Sequence, residues 1–187
     1  MKRIIFATIG SALLLTACNN NKTEAPVANE KKDSVATVSS DNGKETKENR
    51  NRETIKHNVE AFNAHDVDGV AKDYASTFSD NGDGSGKAET NIDSLKNNYK
   101  MAFTAFPDLK GDDVKIVADG DFVMVWGKWN GTWKGDAMGQ KATGKQFKLD
   151  DVDVYRLDDN GKIVEHRSIY PSYVFLENVG FKFPKKK

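Results

Sequence analysis

Near the end of the chain the stretch GKIVEHRSIYP, Gly161 to Pro171, places a histidine, a carboxylate, a guanidinium and a tyrosine within one short run. Just upstream, LDDVDVY supplies Asp151, Asp153 and Tyr155 at alternate positions. Residues two apart on a strand share a face. A carboxyl group on the wall of a pocket can act as general acid or base when its pKa lies near the working pH. Asp151, Asp153 and Glu165 are therefore the candidate catalytic groups. Arg167 offers a planar fork suited to an anionic or carbonyl-bearing ligand. His57 and His65 stand near one another in sequence, but no HExxH or paired-cysteine spacing joins them to a carboxylate, so neither a metal nor another cofactor is expected.

What could bring these groups together is a hairpin. The tetrapeptide DDNG suits a type I turn followed by a left-handed glycine at Gly161, a three-residue hairpin loop. An unbroken ladder from that loop sets Leu157 against Ile163, Tyr155 against Glu165 and Asp153 against Arg167. The inner wall would then carry Asp151, Asp153, Tyr155, Glu165 and Arg167 beside Ile163 and Ile169, with Asp153 and Arg167 paired. His166 would face outward, opposite Val154. Parity also separates Trp129 and Trp133 from Trp126. Together with Tyr99 and Phe103, Trp129 and Trp133 are candidates to hold a flat apolar ligand, the alternative being ordinary core.

The elements behind the hairpin are legible from periodicity. Ile55, Val59 and Phe62 recur at helical spacing, and Asp66 can cap a second short helix bearing Val70 and Tyr74. IDSLKNNYKMAFTAF predicts a third helix with Leu95, Tyr99, Ala102, Phe103 and Phe106 along one stripe, stopped by Pro107. Four strands follow: DVKIVA, DFVMVWGKWNGTW, KQFKLDDVDVYRL and KIVEHRSIY. Helices first and an antiparallel sheet afterwards make an α+β domain with helices on one face of the sheet. SDNGDGSGKAET matches neither a phosphate-binding nor a calcium-binding loop and reads as a turn.

The N-terminal part is of another kind. MKRIIFATIGSALLLTAC has two basic residues and then an apolar run too short for the roughly 20 residues of a membrane span, which is the pattern of an export signal. LTAC resembles the bacterial lipoprotein signature, and Cys18, the only cysteine, is the expected site of lipidation. Residues 1–17 are thus expected to be a signal peptide and residues 18–50, which lack any aromatic residue, a disordered tether. The folded domain is expected over residues 51–187, in a protein anchored to a membrane of the bacterial cell envelope and facing the periplasm. The 28 lysines and arginines balance 28 aspartates and glutamates, leaving no electrostatic basis for a nucleic-acid partner. The closing KFPKKK reads as a solvated basic tail.

Taken in order, AFNAHDVDGVAKDYASTF, AFPDLKGDDVKIVADGDFVMVWGKWNGTWKG, ATGK and VDVYRLDDNGKIVEH resemble the SnoaL-like polyketide cyclases, also described as ester cyclases, over residues 51 to about 180. The resemblance implies a nuclear-transport-factor-2-like cone, a bent sheet around helices with a pocket between them. It also implies a catalytic aspartate and two histidines, at positions that here hold Pro171, Trp133 and Asn81, while Arg167 stands at a tryptophan position. The expected function is binding of a small, partly apolar molecule in the pocket. Two alternatives stay open: a cyclase-like or isomerase-like enzyme using a substitute carboxylate, and a protein-interaction module. A homodimer is open as well.

Overall fold

The computed structural model describes residues 38–184; the expected signal peptide, Cys18, the first part of the expected tether and Lys185 to Lys187 lie outside them. The first helix, α1, runs Val38–Asn63, so ordered structure begins well before the expected boundary at Asn51. The reason is a stripe that hydropathy does not register. Asn51 and Asn58 are buried in line with Ile55 and Val59. The Asn51 amide donates to Gly120 O at 2.9 Å, and Glu48 Oε1 accepts from Gly120 N at 3.0 Å. The charged N-terminal turns are thus held by the tip of a hairpin rather than by apolar burial.

His65 ends the helix in the left-handed region, at φ 56°. Asp66 then caps α2, Val67–Lys72, by accepting from Gly69 N at 2.9 Å. Tyr74, expected on this helix, instead opens a strand missed in the sequence, β1, Tyr74–Asp80. Its ring is buried, and its hydroxyl donates to Asp80 at 2.8 Å, which an extended segment allows. Next comes α3, Ile92–Ala105, capped by Asn91 and ending before Pro107 as expected.

The strands β2, Lys110–Asp119, β3, Phe122–Thr132, β4, Gln146–Leu157, and β5, Ile163–Ile169, form an antiparallel run, and β1 adds to β5 in parallel. The order is β1-β5-β4-β3-β2 in a curved, unclosed sheet. A short helix, α4, Ser172–Asn178, follows with Pro171 at its N-cap. This is the expected α+β architecture. One core cluster joins Ile55, Val70, Leu95, Val123, Val125 and Ile163; the other gathers Phe106, Trp133, Phe147 and Val179. The space between helices and sheet is where the site lies.

Candidate functional site

Strand β4 presents Asp151, Asp153 and Tyr155 inward, as alternation requires, because its ladder with β3 runs unbroken from Phe122↔Arg156 to Thr132↔Gln146. Strand β5 departs from expectation. The hairpin loop forms with Gly161 at φ 74°, and Leu157 does pair with Ile163. The next pair, however, is Arg156↔Glu165, which leaves Val164 as an extra residue. One inserted residue reverses the facing of everything beyond it. Tyr155 therefore opposes His166 and Asp153 opposes Ser168, while Arg167 stands opposite Val154.

The expected Asp153–Arg167 pair accordingly does not form. Arg167 is exposed and bonds Glu165 at 3.3 Å, and Glu165 also meets Arg156 at 3.4 Å. Arg167, expected in the pocket, and Glu165, expected as a candidate catalytic group, thus border neither chamber, and Ile169 likewise turns outward. His166, expected outside, is instead buried at the centre of the inner wall. Its Nδ1 lies 2.8 Å from Asp80 Oδ2 and its Nε2 lies 3.2 Å from Asp153 Oδ1. Asp80 also accepts from Tyr74 and, at 2.9 Å, from Gly82 N, and Ser168 Oγ donates to Asp153 at 2.6 Å.

The charges in this network follow from those contacts. Burial alone would strip the proton from His166, but hydrogen bonds to Asp153 and Asp80 and their negative charge outweigh it and hold the pKa up at about 10. Burial pushes the Asp80 carboxyl up, yet the His166 contact, the Gly82 N–H and the Tyr74 hydroxyl bring it below its ordinary value. One imidazolium thus serves two carboxylates. Asp151 stands beside them without such help: its Oδ1 is buried and has no hydrogen-bond partner. Burial first, and the charge of Asp153 second, raise its pKa to about 7, against the backbone N–H groups of Val152 and Ile169 and the charge of His166.

Two chambers meet at Asp151. The inner one, about 110 Å³, is bordered by Asn58, Tyr99, Asp153, Tyr155 and His166; the outer one, about 310 Å³, by Phe106, Leu109, Phe147, Leu149 and Phe175. Phe62, Trp129, Asp151 and Ser168 border both. Of the expected pocket residues, Tyr99, Trp129, Asp153 and Tyr155 come together here. Phe103 and Trp133 do not. Phe103 packs edge-on against Phe62 and flat against His65, and Trp133 is fully buried in the second core cluster with its N–H on Gly135 O at 2.7 Å. Asn81 bonds the backbone oxygen of His166. His166, Asp80 and Ser168 were missed in the sequence; parity alone would have found His166 and Ser168 had the extra residue at Val164 been known.

The sequence profile of the SnoaL-like polyketide cyclases matches residues 52–176. Among solved structures, AclR from Streptomyces galilaeus, a candidate hydroxylase, is 25% identical with a TM-score of 0.62, covering 74% of this chain and 87% of its own. IdmH from Streptomyces antibioticus, a candidate polyketide cyclase, is 26% identical with a TM-score of 0.59, covering 70% and 98%. A candidate polyketide cyclase from Xanthomonas campestris pv. campestris, 18% identical, superposes with a TM-score of 0.66 over 72% and 99% and bears on the fold alone. No curated protein matches the chain.

Proposed function

Because the chain belongs to the SnoaL-like polyketide cyclase family, we propose that its pocket takes a small, partly apolar molecule and that Asp151 exchanges a proton with it. The observation that carries this reading is the buried, unpartnered Oδ1 of Asp151 at the junction of a polar and an apolar chamber. A purely structural carboxylate would have both oxygens met; an unmet buried oxygen stores unfavourable energy that a ligand can release. With a pKa of about 7, acid and base forms are both populated near neutrality, as proton transfer needs. The ionised carboxylate would take a proton from the carbon next to a ligand carbonyl, the electron pair moving onto the carbonyl oxygen, and would then return it.

The test uses 1-tetralone, a flat ketone, in deuterium oxide. Protein should speed exchange of the ketone's α-hydrogens, with a rate that rises as Asp151 ionises through pH about 7. Asp151→Asn should abolish the acceleration. Binding without exchange would overturn the catalytic part and leave a binding protein, while no binding at millimolar ketone would overturn both.

For location, we infer a lipid anchor at Cys18, supported by LTAC after the apolar run. The chain should fractionate with membranes of its host, and Cys18→Ser should leave it unprocessed or released. Unchanged fractionation would sink the anchor.

A further inference from the structure

Among the described residues only two buried side-chain polar atoms lack a hydrogen-bond partner, Asp151 Oδ1 and Trp129 Nε1, and both residues border both chambers. An indole N–H can only donate. Burying it without an acceptor forfeits its hydration for no return. The other two indoles are provided for, Trp133 by the Gly135 carbonyl and Trp126 by exposure to water.

Trp129 is held in place as well as left unpaired. Its Cε3, Cζ3 and Cη2 atoms press on Gly111, 3.1 to 3.3 Å from where a side chain there would begin, so a larger residue would push the ring aside by a few tenths of an ångström. Asn63 pins that glycine by two hydrogen bonds, of 2.8 and 3.0 Å. Phe62 stands edge-on to the indole at 5.0 Å. The benzo edge is thus clamped, and Nε1 belongs to the opposite edge of the ring.

We propose that the Trp129 N–H is a second ligand contact, a donor for an uncharged oxygen acceptor, of the ketone or ester class, lying beside Asp151. This rests on the pocket reading given under Proposed function. No lysine or arginine borders either chamber, and the His166 charge is shared between two carboxylates. A carboxylate or phosphate ligand would find no counter-ion, whereas a neutral carbonyl needs one donor. When Asp151 removes the neighbouring proton, negative charge grows on that oxygen and the hydrogen bond strengthens. A donor fixed in advance therefore favours the transition state over the ground state.

The experiment compares 1-tetralone with tetralin, the matched hydrocarbon, on the full chain carrying Cys18→Ser so that no acyl group is attached. Its readout is the Trp129 indole N–H resonance together with the dissociation constants. The ketone should move that resonance downfield and tetralin should not. Trp129→Phe should weaken the ketone about tenfold, the worth of one hydrogen bond, and leave tetralin nearly unchanged. Gly111→Ala, which displaces the ring and keeps the N–H, should weaken the ketone too. Ketone binding and Asp151-dependent exchange with an unmoved Trp129 resonance would overturn this inference and leave the Asp151 reading standing. A moved resonance without exchange would support the donor while overturning the catalytic role of Asp151. Failure of both probes to bind would overturn both.

Discussion

His166 and Asp151 stand on one wall, and both hold their protons more tightly than usual, so each contributes stability that is lost as pH rises. The His166 pKa is raised, so its stabilising contribution is complete below the ordinary histidine value of 6.5 and is lost as pH rises through about 10. Asp151 is also raised, so the stability its proton preserves is present below 3.8 and lost as pH climbs to about 7. Asp80 runs the other way, contributing above its ordinary value and losing the contribution on acidification. Thermal melts from about pH 4 to about pH 9 separate the three. Asp151→Asn should gain on wild type with rising pH, by at most about 4 kcal/mol. His166→Gln should be destabilised by about 3–5 kcal/mol near neutrality because it strands two carboxylates, and should lose less than wild type at alkaline pH. A constant gap between Asp151→Asn and wild type would show that Asp151 is ionised throughout.

Among the elements, α1 is where the boundary of the folded unit is decided. Lys47 contacts Asp121 and Asp159, and Arg50 donates to the Asp159 carbonyl at 2.7 Å, so the turns before Asn51 clasp both hairpin tips. Exposed ion pairs contribute little. The buried Asn51 to Gly120 contact counts for more, and Asn51→Ala should cost about 1–3 kcal/mol by leaving that carbonyl unmet. A chain starting at Asn51 should melt lower than one starting at Val38, and limited proteolysis should stop before Asn51. Equal melting of the two truncations would mean that the clasp contributes nothing.

On the scale of the whole molecule, the outer face of the sheet is apolar. Lys115, Trp126, Val152 and Ile169 form one cross-strand row, and Val117, Met124, Val154 and Arg167 the next. Trp126, Met124, Phe122, Val117 and Ile169 are each about half exposed or more, between 47% and 62%. Exposed apolar panels of this kind commonly serve as interaction surfaces. Lys115 and Arg167 end these rows, while Asp119 and Glu165, on the same strands, are paired within the chain with Lys44 and with Arg156 and Arg167. We expect a homodimer through this face. The full chain with Cys18→Ser should sediment as a dimer, and Trp126→Glu as a monomer with the His166 network intact. Wild type that stays monomeric at all concentrations would remove the proposal.

Much of this was decided by the sequence alone. Helical spacing placed Ile55, Val59, Phe62 and the α3 stripe, and strict alternation placed Asp151, Asp153, Tyr155 and Trp129 on the inner wall, because the β3–β4 ladder has no break. The Gly161 turn followed from residue types with intrinsic conformational preferences. Only the tertiary structure decided which face His166 and Arg167 occupy. A bulge is one unpaired residue, and Val164 carries no chemical mark of being it. Only the fold could bring Asp80 to His166 across 86 positions, make a strand of Tyr74 to Asp80, or bury Asn51 without an apolar signal. It alone left Asp151 Oδ1 and Trp129 Nε1 without partners, since an unmet hydrogen bond is a property of surroundings and not of the residue.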